Sequence, residues 1–503
     1  MQKKQTILVV ASLLVVVLSV TLAYFTAQII GKGKDVTINS ADLKIIFTDS
    51  DGSISGSNIE PGKWDVTKTF TIENKSNETY KYNIVIQNLV NTFVTEGYLQ
   101  YKITSTNGGY NMTEFKDVPK SSAPKDTILA YSASVDVGVI QTYTVEFIYK
   151  NDETVDQSDD MGKTLSGKLF ITEGTEDPNK TLYDQILADK STVLTRTDFS
   201  KVLTNDNTKT IYTSAEEGTT VYYFAGNATD NWVKFGKNAN NQDLYWRIIR
   251  TNSDGSIRLL YHGTSTTATD AYIRKSAFNP TFDDPMYVGY MYGPSGSLEN
   301  NRTNTNNSTI KTTIDNWYKD NLNTNYGKYL STAAVYCNDR SVTNGTYSTS
   351  SFFYYGAYTR LNTNKTPSYD CASTEDKFTV DSSTGNGKLE YPIALMTADE
   401  VSFAGGVYNT NAETWYYKNS ANGSSTGSTF WWLLSPSGKY GGGAVFLFSV
   451  RGSSYTGYLD VTSPSDDSRG VRPVISLKSC TLYSTGDGSA TNPYTILETE
   501  TGC

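Results

Sequence analysis

Three short apolar runs near the C-terminus constrain the fold of this chain most strongly. They cover Trp431–Pro436, Ala444–Val450 and Val471–Leu477. Runs of this kind, rich in Val, Phe and Trp, are typical of buried β-strands. The loops between them consist largely of Gly, Ser, Tyr and Asp, a composition that suits adaptable recognition. The stretch shows no nucleophile paired with a base, so it predicts a binding surface.

The length and charge of the chain narrow its class. At 503 residues it is too long for one hydrophobic core, so two or three domains are expected. The formal net charge of -9 argues against nucleic acid as a partner, because nothing is set to displace phosphate counterions. The 37 tyrosines provide apolar rings with polar tips, which suit contact surfaces.

Residues 1–31 have the charged start and the apolar run that are typical of an export segment. Lys3 and Lys4 precede the uncharged run Ile7–Ala23, the pattern of a secretory signal, and Thr21–Ala23 offers small residues for cleavage. Apolar character continues to Ile30, so residues 7–30 are also long enough to cross a membrane as an uncleaved anchor. Both alternatives remain open, and both predict an extracellular protein, secreted or anchored at the cell surface.

Four cysteines fit this compartment: Cys337, Cys371, Cys480 and Cys503. Export permits disulfides, and an even count allows full pairing in one of three ways. Proximity in sequence favours Cys337–Cys371 and Cys480–Cys503, each cross-link being worth about 3 kcal/mol.

Residues 32–173 are predicted to form an all-β antiparallel sandwich. Phe70 and Ile72 alternate with polar neighbours, and residues 143–149 do the same, which gives each strand one buried and one solvated face. The polar stretch Thr172–Asn179 marks the domain boundary. Residues 174–219 are then expected to be a linker with a short helix that begins near Leu182.

Residues 220–503 have a mixed pattern that predicts an α+β domain. Asp254–Gly255 lies between two strand-like runs and indicates a hairpin. Ser308 is placed to cap a helix, and Thr397 with Glu400 has capping-box spacing for another. With helices between an early hairpin and late strands, the two ends of this domain are expected to share one sheet.

The N-terminal third resembles the TasA/camelysin family of secreted matrix proteins. The matching segments are Thr21–Phe25, Ser40–Ile45, Asn58–Gly62 and Thr69–Asn74. The resemblance covers roughly residues 15–173 and implies a sandwich which, in some members, assembles into fibres by exchange of an N-terminal strand. Some members carry a peptidase label, but this segment contains no His and no HExxH, so that activity is not carried over.

The remainder resembles a C-type-lectin-like domain of secreted gut-bacterial proteins. Its fold is shared with formylglycine-generating enzymes and with the variable ligand-binding proteins of diversity-generating retroelements. The segments that carry the resemblance are Trp246–Arg250, Trp431–Pro436, Gly470–Val474 and Asn492–Ile496. The cysteines do not match the reactive positions of the formylglycine-generating relatives. The resemblance implies binding rather than catalysis.

Candidate ligand contacts follow from the strand ends and from this resemblance. Strand alternation places one of Trp431 and Trp432 on the core face and the other on the opposite surface, where Trp432 would offer an aromatic platform. The alternative, with both rings inside the domain, stays open. The resemblance to the retroelement-type binding proteins implies that ligand contacts concentrate in the loops, at Arg451, Tyr455, Tyr458, Ser468 and Arg469. The alternative is that these are ordinary solvated loops without a binding role.

Catalytic chemistry has little support in the sequence. His262 is the only histidine and has no motif partner, so it is interpreted as a structural or exposed residue rather than a general base. Arg472 lies within an apolar run and is expected to pair with a buried acid; contact with a ligand is the alternative. No catalytic residue is assigned.

Metal binding is confined to one alternative. Asp49–Gly52 and the pair Asp466 and Asp467 could offer carboxylates to calcium, although Asp-rich turns explain both equally well. No CxxC or Cys/His cluster is present, so no other metal and no cofactor are predicted.

The sequence thus predicts an exported bacterial surface or matrix protein whose C-type-lectin-like head binds an extracellular glycan or protein. The first alternative is a structural subunit that self-assembles into fibres through the N-terminal sandwich. The second is a secreted hydrolase or peptidase, which would have to rely on Asp/Glu pairs.

Overall fold

The computed structural model describes residues 36–38, 43–47, 52–57, 59–175, 177–440 and 443–503. The chain divides into Met1–Pro178, here called unit 1, and Asn179–Cys503, here called unit 2. Both are mostly β, with several antiparallel sheets. Within the ranges just given, no helix has the length and apolar character needed to cross a membrane. The predicted signal or anchor, residues 1–31, lies outside those ranges.

Unit 1 contains two antiparallel sheets and a 3-10 turn at Ser158–Asp160. The six-stranded sheet has the order Val36–Ile38, Leu43–Phe47, Asp65–Asn74, Ile140–Tyr149, Leu99–Ser105 and Lys116–Asp117. The four-stranded sheet has the order Ser53–Ser57, Thr164–Glu173, Tyr80–Asn91 and Ser121–Val135.

The alternating pattern of unit 1 forms strands with one buried face. Phe70 and Ile72 are buried in the strand Asp65–Asn74, and every second residue from Tyr143 to Tyr149 is buried in Ile140–Tyr149. Side chains from both sheets enter one hydrophobic core. This follows because an antiparallel sheet with one apolar face has to cover that face.

Unit 2 is built around two larger sheets. The first has the order Thr192–Thr195, Thr210–Glu216, Thr219–Tyr223, Asp243–Thr251, Ile257–Tyr261, Pro473–Leu477 and Ile393–Leu395, with Trp232–Lys237 paired to Asp243–Thr251. The second has the order Val342–Gly345, Phe353–Tyr355, Trp431–Lys439, Val445–Val450 and Leu459–Thr462. Two-stranded pairs join Asp206–Asn207 to Asn227–Ala228, Met291–Tyr292 to Asn306–Asn307, Tyr336–Cys337 to Lys377–Phe378, and Tyr483–Thr485 to Thr495–Ile496.

Helices in unit 2 are short. The α-helices are Leu182–Ala188, Leu298–Asn301, Thr309–Asn321, Asn323–Tyr326, Gly356–Tyr358 and Ala398–Phe403. The 3-10 turns are Pro285–Val288, Gly327–Tyr329, Thr374–Asp376 and Ser453–Tyr455, and Thr359–Asn364 form a π-helical turn. Residues 174–219, expected to be a linker with a helix, contain the helix but also two strands of the first sheet. Most of this segment is therefore part of unit 2.

The predicted hairpin and the shared sheet are confirmed. Asp243–Thr251 and Ile257–Tyr261 pair on either side of Gly255, which has a positive φ of 76°. The second hairpin strand pairs with Pro473–Leu477, with Leu259 opposite Ile475. Late and early segments of unit 2 thus lie side by side in one sheet.

The two predicted helix caps are also present. The Ser308 side chain accepts a hydrogen bond from the backbone N–H of Lys311, at 3.1 Å, and so caps Thr309–Asn321. Thr397 and Glu400 form a complete capping box at the start of Ala398–Phe403. Such a cap contributes about 1 kcal/mol, because it satisfies backbone donors that the helix itself leaves free.

Glu400 also lies at the centre of a buried ion-pair network. Its Oε1 lies 3.0 Å from Arg250 Nε and 2.7 Å from Arg258 Nη1, and Arg250 Nη2 lies 2.7 Å from Glu216 Oε1. Burial alone would raise the pKa of Glu400, but the Arg258 and Arg250 charges hold that pKa below its usual value. The capping helix is thereby tied to the first sheet.

Both predicted disulfides are present, Cys337–Cys371 and Cys480–Cys503. They close loops of 34 and 23 residues. No cysteine in the described residues is free.

Candidate functional site

Two arginines lie near one phenylalanine ring at the ends of two paired inner strands of the second sheet. The guanidinium carbon of Arg451 lies 5.0 Å from the ring centre of Phe430, and that of Arg469 lies 4.4 Å from the same point. Arg451 also lies 4.4 Å from the ring centre of Tyr455 and 5.3 Å from that of Tyr458. These five residues are called the Arg–aromatic cluster.

Strand pairing brings the members of the cluster together. Phe430 directly precedes the strand Trp431–Lys439, and Arg451 directly follows Val445–Val450, which pairs with it. Arg469 comes from a later loop. It is placed by its neighbour Gly470, whose N–H donates to the Phe430 carbonyl at 2.7 Å.

Each arginine of the cluster has a carboxylate partner. Arg451 Nε donates to Asp460 Oδ2 at 2.6 Å, and Arg469 Nη2 lies 2.8 Å from Asp466 Oδ2. Burial lowers the pKa of Arg469, and the Asp466 carboxylate opposes that shift. The two guanidinium planes are therefore held in place, while the side chains remain 26% and 20% exposed.

The tyrosines lie on a tight loop that requires glycine. The Tyr458 N–H donates to the Tyr455 carbonyl at 3.0 Å, and the Arg451 N–H donates to the Tyr458 carbonyl at 2.9 Å. Gly457 has a positive φ of 65°, and a Cβ there would lie 1.9 Å from the Ala412 carbonyl oxygen. The turn is therefore closed to other residues at this position, and it leaves Tyr455 46% exposed.

Of the six residues predicted to contact ligand, four belong to the Arg–aromatic cluster and a fifth lies next to it. The fifth, Ser468, is exposed; its hydroxyl donates to Asp466 Oδ1 at 2.5 Å and accepts from Arg469 Nη1 at 3.2 Å. It supports the carboxylate and the guanidinium rather than any ring. The sixth, Trp432, lies elsewhere.

Trp432 does not reach an outer surface, so it is not the predicted aromatic platform, and the alternative with both rings inside the domain is the correct one. All nine residues of Trp431–Lys439 are buried, so both faces of this strand are covered. The Trp432 indole N–H donates to the Ser276 carbonyl at 2.8 Å, and its ring packs edge-to-face on Phe278. Trp432 belongs to the core of unit 2.

The expectation for Arg472 also needs correction, because its partners are not acids. Its guanidinium donates to the carbonyls of Tyr261 and Tyr416, at 3.2 and 2.8 Å, and lies 4.6 Å from the ring centre of Trp431. Burial lowers the pKa of Arg472 to about 9. Carbonyl dipoles and an indole face replace the expected carboxylate.

His262 is buried beside this arginine. Its ring centre lies 4.4 Å from that of Trp232, and neither ring nitrogen has a hydrogen-bond partner among the described residues. Burial, together with the charges of Arg472 and Arg247, lowers its pKa well below the usual value. The neutral imidazole is thus a core residue, in agreement with the structural interpretation.

The calcium alternative gains no ligand set from the described residues. Within them, no three His, Cys, Asp or Glu side chains are grouped to hold a metal ion. Asp466 is engaged by Ser468 and Arg469, and Asp467 is exposed. Asp49 lies outside the described ranges.

Sequence reasoning missed Phe430 and Asp460. A usable signal existed for Phe430, which extends the aromatic pair Trp431-Trp432 by one residue at the strand end. Asp460 interrupts the apolar pattern of Leu459–Thr462. In the paired strand it lies opposite Ser449, which is two residues before Arg451. Recognising that pair required the strand register.

No protein-family model matches the sequence, and no curated protein matches it. Among solved structures, a ruminal GH26 endo-beta-1,4-mannanase aligns at 13% identity over 28% of this chain, with a TM-score of 0.15. The aligned part spans 29% of the mannanase.

Two smaller structures align as weakly. AvmM, which catalyses macrocyclization in alchivemycin A biosynthesis, aligns at 7% identity over 25% of this chain and 90% of its own, with a TM-score of 0.14. TmCBM61, solved with beta-1,4-galactotriose, aligns at 10% identity over 26% and 88%, with a TM-score of 0.13. Scores this low carry no argument about fold or function.

Proposed function

We propose that unit 2 is the binding head of an exported cell-surface protein and that the Arg–aromatic cluster contacts an extracellular glycan or protein ligand. One observation carries the proposal: two guanidiniums, fixed by carboxylates, flank Phe430 beside the exposed ring of Tyr455. Arg and Tyr are the residues that most often dominate binding energy at protein surfaces.

The order within the cluster supports recognition. The ion pairs and the turn at Gly457 hold the side chains before any ligand arrives, so binding costs less conformational entropy. Each tyrosine adds an apolar ring and a hydroxyl, and can therefore contact both the flat face and the polar groups of a ligand.

The remaining parts of the proposal rest on compartment and resemblance. Two disulfides suit an oxidising, extracellular environment. The two-sheet core of unit 1 suits the proposed TasA/camelysin-like sandwich stem, and the mixed architecture of unit 2 suits the proposed C-type-lectin-like fold. In this proposal unit 1 is the stem and unit 2 is the head of a cell-surface or matrix protein.

Binding arrays test the proposal. The full-length protein is applied to arrays of immobilised oligosaccharides and of extracellular proteins, beside the combined variant Tyr455→Ala, Tyr458→Ala, Arg469→Ala. Removal of three adjacent contacts should weaken capture at least about tenfold. Phe352→Ala is the matched control, because Phe352 is 63% exposed and lies outside the cluster. Equal capture by the combined variant and the wild type, or no capture by the wild type, rejects the proposal.

A further inference from the structure

A groove runs along the exposed side of the helix Thr309–Asn321. Its cavity measures about 450 Å³, and small-molecule sites typically measure about 300–1,000 Å³. None of its lining residues belongs to the Arg–aromatic cluster. The side chains used below are Arg274, Asn307, Thr313, Asn316, Trp317 and Asp320.

Arg274 differs from the other arginines of the chain. All eleven arginines lie in unit 2. Ten of them have a carboxylate or a carbonyl partner. Within residues 179–440 and 443–503, the exposed Arg274 guanidinium has no hydrogen-bond, ion-pair or ring partner. Its five donors are therefore free to bind an anion, and a carboxylate fits them in a bidentate manner.

Trp317 supplies an apolar wall to the same groove. Its ring packs edge-to-face on Trp246 and Tyr261, at centre distances of 6.4 and 5.3 Å, so the indole is fixed from the core side. It is only partly buried and lines the cavity with the remainder of its surface. A fixed, partly exposed indole is a suitable platform for the apolar face of a sugar ring.

Polar side chains follow at one helical turn each. Thr313, Asn316 and Asp320 are three and four residues apart, so they lie on one face of the helix, with the Cβ atoms of neighbours in the row about 5–6 Å apart. In the described residues, Asn316 and Asp320 have no side-chain partner. The hydroxyl and the amide of this row can donate to and accept from ligand hydroxyls, and the carboxylate can accept from them.

We propose that this groove binds an acidic oligosaccharide. A uronic-acid carboxylate pairs with Arg274, a sugar ring stacks on Trp317, and ring hydroxyls bond to Asn316 and Asp320. The site is separate from the Arg–aromatic cluster and does not depend on the function proposed for it.

Calorimetric titration of the full-length protein with trigalacturonic acid tests this assignment. The wild type should bind trigalacturonic acid at least about tenfold more tightly than neutral galactotriose, because only the former satisfies the Arg274 guanidinium. Arg274→Ala should lose at least about tenfold in affinity, and Arg274→Lys should lose part of this, since an ammonium keeps the charge but not the planar fork.

Two controls make the result decisive. Lys275→Ala removes an exposed positive charge at the next residue, outside the groove lining, and should leave binding unchanged. Arg451→Ala alters the Arg–aromatic cluster and should also leave the binding of trigalacturonic acid unchanged. The two proposed sites can therefore be tested independently. The assignment is overturned if trigalacturonic acid does not bind, if Arg274→Ala binds it normally, or if Lys275→Ala weakens binding as much as Arg274→Ala. The assignment is also overturned if sodium acetate binds as tightly as trigalacturonic acid, because the groove would then hold an adventitious anion only.

Discussion

His262 should make the stability of unit 2 depend on pH in a range where no other side chain of the chain ordinarily titrates. It is the only histidine, and both cysteine pairs are disulfides. Its imidazole is buried against Trp232. The guanidinium carbon of Arg247 lies 4.1 Å from the ring centre of the same tryptophan. Arg472 is also buried, and its charge further disfavours a proton on His262. Protonation would add a third positive charge to this region.

The sign and size of the effect follow from proton linkage. The pKa of His262 is lowered in the folded protein, so below the unfolded pKa of 6.5 the unfolded chain binds more protons than the folded chain. The free energy of unfolding therefore falls as the pH falls from about 6.5 towards the folded pKa, by up to about 1.4 kcal/mol per pH unit. Between about pH 7 and about pH 5.5 the loss should be at most about 1.3 kcal/mol.

Urea unfolding at these two pH values, followed by tryptophan fluorescence, measures this loss. Six of the seven tryptophans lie in unit 2, so the signal reports mainly on that unit. His262→Gln can lower stability at both pH values but should abolish the difference between them. Asp315→Asn is the control, because burial raises the pKa of Asp315 and brings it closer to the same range. If His262→Gln and the wild type lose equal stability on acidification, the reasoning is refuted.

Three further predictions concern the core of unit 2. Glu400→Gln should cost about 3–5 kcal/mol in urea unfolding, because it leaves two buried arginines without their shared carboxylate; a loss below about 1 kcal/mol would contradict this. Trp432→Phe should cost about 1–3 kcal/mol by leaving the part-buried Ser276 carbonyl without its indole donor, and array binding should not change. Cys337→Ser with Cys371→Ser should cost about 3–4 kcal/mol, from the entropy of an open 34-residue loop, whereas an unchanged unfolding midpoint would show that the cross-link constrains nothing.

Features that depend on short-range spacing or on nearness along the chain could be predicted from the sequence. The Asp254–Gly255 hairpin and the Thr397–Glu400 capping box depend on turn chemistry and on the spacing of one helical turn, and both are present. The disulfide pairing depended on proximity along the chain and is also present. Such local signals do not depend on how distant segments pack.

The position of Trp432 could not be predicted in this way. Alternation shows that two neighbouring side chains point to opposite sides of a strand, but not whether the second side is covered. Here the segment around Ser276 and Phe278 covers it, more than 150 residues earlier in the chain. The same limit applies to Arg472, whose carbonyl partners come from two distant segments.

The framework beneath the Arg–aromatic cluster favours ligand binding over a structural role for its exposed side chains. Arg469 is placed by main-chain bonds of Gly470, which donates to the Phe430 carbonyl and accepts from the Trp432 N–H at 3.1 Å. Replacing the tyrosine side chains leaves these bonds intact, and exposed substitutions usually change stability by only about 0.5 kcal/mol. Folding therefore gains little from the exposed part of Tyr455, although the turn at Gly457 and the neighbouring guanidinium hold it in position. A side chain that is ordered without being needed for stability is available for a contact outside the protein.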